Sequence, residues 1–167
     1  MTREVSFDID AVENSLDLVE RELDAAAWSH ERDGFNSVHC IAPTRWGDLG
    51  GVFTMRDDPE ALFFSVTLDV KPTPTRRNEI NELLIRANEK LWLGHFDFWP
   101  GDGLILFRHT IPMKGRAEPE SNEVSAVIAA ATEAVERFTP SMNYVIWAGK
   151  SAEEALEVAL FETIGEA

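Results

Sequence analysis

The chain has 167 residues, 44% of them hydrophobic, with 30 acidic against 15 basic side chains and a net charge of −15. That length and apolar content suit one domain with a sizeable core and argue against disorder; residues 1–167 read as a single α+β domain, with a polar tail over about residues 1–10. The acidic surface repels phosphate backbones and anionic headgroups, which argues against nucleic acid and membrane partners and leaves solubility, or a partner with a basic patch, as its use.

After the polar tail, Val12, Leu16, Val19, Leu23 and Ala26 recur at helical spacing, with Asn14 as cap or first-turn residue and Trp28 anchoring the end. From Ser29 to Val70 the period changes to two. Trp28 to Asp33 is short and extended, Asp33-Gly34 and Asn36 supply turn chemistry, and Val38, Cys40 and Ala42 alternate with Ser37, His39 and Ile41. Pro43 to Gly51 reads as a glycine-bearing connection into Val52-Phe53-Thr54-Met55. A turn at Asp57-Asp58-Pro59 leads to the clearest strand, in which Leu62, Phe64, Val66, Leu68 and Val70 share one face. Neighbouring strands with short turns predict an antiparallel meander.

Pro74 suits the first turn of a second helix, whose stripe is Ile80, Leu83, Leu84, Ala87 and Leu91 and whose terminator is Gly94. Phe96 and Phe98 then alternate with His95, Asp97 and Trp99, Pro100 to Gly103 turns the chain, and Leu104 to Met113 returns with Ile105, Phe107, His109 and Ile111 on one face. Val124, Ile128, Ala131, Val135 and Phe138 form a third helical stripe, which Pro140 is expected to kink or break. Ser141 to Trp147 adds one or two turns closed by Gly149. Ser151-Ala152-Glu153-Glu154 is a capping box for a last helix that places Leu156, Leu160 and Ile164 on one face.

Little in these elements spells chemistry. The lone cysteine, Cys40, rules out an internal disulfide and sits in an apolar run, as a buried inert thiol would. No secretory leader and no span of ~18 apolar residues is visible, so the expected location is the cytoplasm. His95-x-Asp97 puts an imidazole and a carboxylate on one strand face, but His30, His39 or Asp102 would complete a metal site only by tertiary accident. Asp97 and Asp102 flank a glycine turn that does not fix their separation, and His109 between Phe107 and Ile111 reads as a core histidine. Ser151 is a helix cap rather than a nucleophile, and neither Gly47–Gly51 nor Gly101–Gly103 opens a helix as a phosphate loop would. No catalytic residue, cofactor or metal ligand is assigned. An enzymatic alternative, a small hydrolase or metal-dependent enzyme, would be built around His95, Asp97 and Asp102.

Three blocks resemble the YbjN family of bacterial proteins. They are Asn14 to Glu20; Asn88-Glu89-Lys90-Leu91-Trp92-Leu93-Gly94-His95-Phe96-Asp97 with Phe107-Arg108-His109; and Glu136-Arg137-Phe138, Val145 to Ser151 and Glu162 to Ala167. The resemblance implies a fold similar to type III secretion chaperones, a curved antiparallel sheet packed by helices in the order α, three or four β, α, two β, α, α. The additional short strand over Trp28 to Asp33 departs from that topology. Family members are described as sensory transduction regulators, and chaperones of this kind dimerise and bind extended client segments. The expected function is therefore a non-catalytic protein-binding module acting as a homodimer. A single helical layer cannot cover every aromatic, so Trp46, Phe53, Met55 and Trp99 are the candidate protein-binding residues.

Overall fold

The computed structural model describes residues 8–165, with side chains to residue 161. The expected tail over residues 1–7 and the side chain of Ile164 lie outside the described residues. The chain runs α1 (Ile9–Ala25), β1 (Ser29–Asp33), β2 (Ser37–Thr44), β3 (Gly47–Asp57), β4 (Glu60–Thr67), a 3-10 turn (Pro74–Arg76), α2 (Arg77–Asn88), β5 (His95–Trp99), β6 (Leu104–Pro112), α3 (Ser121–Trp147) and α4 (Ala152–Gly165). The six strands form one open antiparallel sheet in the order β1-β2-β3-β4-β6-β5. The α+β class and the meander read from the sequence are both present, and Trp28 to Asp33 does hold a strand.

Strand pleating sends Val38, Cys40, Phe53, Met55, Leu62, Phe64, Val66 and Phe107 to one face, where they form one core with the helices. α1 packs on β1 to β3, α2 on β5, and α3 on β2 and β6, whereas α4 packs on α2 and α3. Among its described side chains Ala152, Ala155 and Ala159 are buried and Leu156 packs against the core, while Leu160 is exposed, so three alanines and one leucine of the expected stripe seat it. Among the described residues no helix is long and apolar enough to cross a membrane.

Four boundaries differ from expectation, each for a visible reason. α1 starts at Ile9 because the Asp8 carboxylate caps the Ala11 amide, leaving Asn14 inside the helix. Its other end is a Schellman turn in which Trp28 N–H donates to the Leu23 carbonyl and Ala27 N–H to that of Asp24, with Ala27 in the left-handed region at φ 60°. The segment around Gly50 and Gly51 is strand, and only Arg45 and Trp46 separate β2 from β3. Gly51 is glycine for lack of room, since a Cβ there would lie 3.0 Å from Cys40 Sγ and 3.2 Å from the Ser65 carbonyl. α2 ends at Asn88, six residues before Gly94, because the Asn88 amide turns to the backbone of Phe96, accepting from its N–H at 2.7 Å and donating to its carbonyl at 3.0 Å. It stands in for a neighbouring strand at that point of the β5 edge. Gly94 instead permits a close approach in the loop: at φ +72°, its missing Cβ would fall 2.1 Å from Phe107 Cζ.

α3 is continuous through Pro140, contrary to the expected break. Proline has no N–H, so the Glu136 carbonyl four residues earlier loses its helical donor. The Trp46 indole N–H takes that place at 2.8 Å, and the Arg45 amide donates to the Glu136 carboxylate at 3.0 Å. The β2–β3 turn thereby clamps the helix at its proline gap. Trp46→Phe should cost about 1 kcal/mol in stability. In a Pro140→Ala background, which restores the missing donor, the loss should shrink by about half or more, as read by a double-mutant cycle in urea.

His109 is half-buried rather than fully in the core, on the same strand face as Phe107 and Ile111 and opposite Phe64. Burial lowers its pKa below the ordinary histidine value, and His95 adds to the effect. A base depressed in the folded state contributes stability that is complete above the unfolded pKa of about 6.5 and is lost as pH falls from there toward the folded value. The wild-type Tm should therefore drop more between pH 7.5 and pH 6 than that of His109→Asn. Equal drops would show that His109 does not contribute.

Candidate functional site

The helices bury one face of the sheet, and among the described residues no element covers the other. Residues alternate across β2 to β4, so Ile41, Val52, Phe63, Ser65 and Thr67 point away from the core. Ile41 is 42% exposed, and Val52 and Phe63 are half-buried, the Phe63 ring lying under the Arg56 guanidinium at 5.7 Å. A trough of about 470 Å³ crosses this face, lined from β1 to β4 by Ser29, Glu31, His39, Ile41, Val52 and Thr67. It exists because Gly50 carries no side chain: an added Cβ would meet nothing within 4 Å. Four strands at a spacing of ~4.8 Å make the trough about 15 Å long, the reach of some four or five extended residues.

The rim is polar. His39 Nε2 lies 3.0 Å from Asp33, and Ser37 and Thr54 share a hydrogen bond at 3.1 Å. β1, the edge strand beside the trough, is held from beneath by α1. Arg32 reaches Asp17 and also Glu20 at 3.0 Å, and His30 reaches Asp24 at 2.9 Å. Cys40 sits in the trough's floor with its side chain in the core, where burial pushes the thiol pKa up to about 12. At neutral pH that thiol stays protonated and is a poor nucleophile.

The four residues singled out for binding separate in space. Phe53 and Met55 face the core, where Phe53 stacks on Phe64 at 4.3 Å between centroids. They are internal packing in the free chain, because their register opposite Val38, Phe64 and Leu62 turns them inward. Trp46 is partly exposed, but its indole is bound to α3. Trp99 lies at the end of β5 on the uncovered face, 41% exposed, with its N–H donating to Asp97 at 3.2 Å and the Arg108 guanidinium 6.0 Å from its ring.

The same contacts bear on the enzymatic alternative. His95 and Asp97 do share a face, as expected, but the Asp97 carboxylate accepts from both Arg108, at 3.2 Å, and Trp99. That pairing locks β5 to β6 and leaves the carboxylate a structural part. Asp102 lies exposed in the following turn. Among the described residues no three of His, Cys, Asp and Glu gather as a metal site. Ser151 is a cap: its hydroxyl accepts from the Glu154 amide at 3.2 Å while its own amide donates to the Glu154 carboxylate at 3.0 Å. The trough residues themselves were not singled out in the sequence. Their signal was the outward parity of Ile41 and Val52 around a glycine pair, and it becomes visible only once Gly47 to Gly51 is recognised as strand.

A family model named YbjN, described as "Putative bacterial sensory transduction regulator", matches residues 15–143. No curated protein matches the chain. Among solved structures, the crystal structure of YbjN from E. coli, "a putative transcription regulator", aligns with a TM-score of 0.48 at 13% sequence identity, over 72% of this chain and 85% of that one. With its family model covering well over half of its length, the chain belongs to the YbjN family of bacterial proteins.

Proposed function

We propose that this protein is a non-catalytic regulatory module of the bacterial cytoplasm that works as a homodimer and takes an extended segment of a partner protein across the uncovered face of its sheet. The observation that carries this reading is the trough over Gly50, an open, shallow depression with apolar side chains on its floor and polar groups on its rim. A site for a small molecule encloses its ligand on most sides. A trough that runs across four strands and opens to solvent along its length instead fits a strip of polypeptide. Ile41 and Val52 offer apolar contact, and the hydroxyls of Ser29 and Thr67 together with the His39 imidazole offer hydrogen bonds.

Charge shapes the choice of partner. Glu31 and Asp33 stand on the outward positions of β1 in a chain of net charge −15. That field speeds encounter with a basic segment and disfavours acidic ones, and its effect weakens as salt rises. The family's description as a regulator supports a role exerted through binding rather than through turnover.

A photo-crosslinking side chain placed at Val52 in the producing bacterium should form an adduct with a protein, and the same group at Glu13, exposed on α1, should not. Gly50→Leu, which fills the trough without steric strain, should abolish the Val52 adduct. An adduct that survives Gly50→Leu, or none at Val52, would refute binding in the trough.

A further inference from the structure

Trp92 is fully exposed, although its neighbours Leu91 and Leu93 pack against the core. An indole free in water forgoes the burial of a large apolar surface. Its backbone is held in place, because Gly94, two residues on, is seated against Phe107 so closely that no Cβ could fit. The loop between α2 and β5 thus presents an exposed tryptophan from a packed backbone.

A socket lies beside this knob. Leu91, Leu93, Ala130 and Ala134 line a depression of about 170 Å³ between the loop and α3, with Trp92 itself along one wall and Lys90, Glu133 and Arg137 beside it. We propose that the occupant is a second copy of this chain, with the Trp92 of each protomer entering the socket of the other about a two-fold axis. A knob and a socket side by side on one surface are what a self-complementary two-fold interface requires.

Charge favours the same occupant. A chain of net charge −15 resists its own association nearly everywhere. The socket is lined by two cations, Lys90 and Arg137, and one carboxylate, Glu133, so here two copies meet with little repulsion and with opposite charges to exchange. This inference rests on the homodimeric reading above and adds to it the place and the anchor.

The test is molar mass by light scattering over a dilution series. Wild type should be a dimer, and Trp92→Ala should weaken dimerisation at least about 30-fold, the loss of a single interface hot spot. Its thermal stability as a monomer should be unchanged, because an exposed side chain is removed. Ala130→Trp, which fills the socket, should also be monomeric. Mixing it with Trp92→Ala should restore a heterodimer, since one copy keeps its knob and the other its socket. A Trp92→Ala protein that dimerises like wild type, or a mixture that stays monomeric, overturns the Trp92 interface and leaves the dimer reading standing. A monomeric wild type at every concentration overturns both.

Discussion

A six-stranded sheet has two faces, and among the described residues the helices pack on only one of them. α1, α2 and α3 lie along the core side of the strands, and α4 packs on α2 and α3 instead of crossing to the bare face. The consequence can be read strand by strand. Inward positions such as Val38, Phe53 and Phe107 are fully buried, whereas outward ones such as Ile41 remain in contact with water. The open face is thus a result of how many helices there are and where they pack. Antiparallel sheets commonly leave one face to solvent, and on this face the partner segment proposed above would lie.

The covered side is held together by more than apolar contact. Pro140 removes one hydrogen bond from α3, and the indole of Trp46 reaches from the β2–β3 turn to replace it. Asn88 performs a similar service at the opposite edge, where its amide occupies the Phe96 backbone and limits what can pair with β5. β1, at the other edge, is short and acidic on its outward side, so a second β1 laid antiparallel to it would oppose carboxylates. Both edges are guarded against strand pairing, and the exposed large apolar side chains lie away from them, Trp92, Trp147 and Phe161 foremost.

Much of the architecture was legible in the sequence, because periodicity survives wherever a segment has one wet and one dry side. The alternation of Leu62, Phe64 and Val66 and the 3.6-residue stripe of Val124, Ile128 and Ala131 both correspond to elements of the fold. What was not legible depended on partners distant in the chain. Pro140 reads as a helix breaker until Trp46, more than ninety residues away, is seen to supply the missing donor. Gly50 and Gly51 read as loop, although one is glycine because β2 and β4 crowd it and the other lies over open space. Phe53 and Met55 read as surface candidates, and only their pairing with Val38, Phe64 and Leu62 shows that they face inward. The exposure of Trp92 had no local signal at all, since Leu91 and Leu93 on either side are partly buried.

The central claim is that the uncovered sheet face is the working surface of this regulator. Gly50 offers the most direct handle on it, because a Cβ added there meets nothing within 4 Å and the side chain it carries enters the trough. The decisive measurement is the transcript profile of a strain lacking the protein, complemented with either wild type or Gly50→Leu at equal abundance, alongside the Tm of both purified proteins. The account predicts matching Tm values, restoration by wild type, and a Gly50→Leu strain indistinguishable from the deletion. Full restoration by a stably folded Gly50→Leu would contradict it and place the function elsewhere on the molecule.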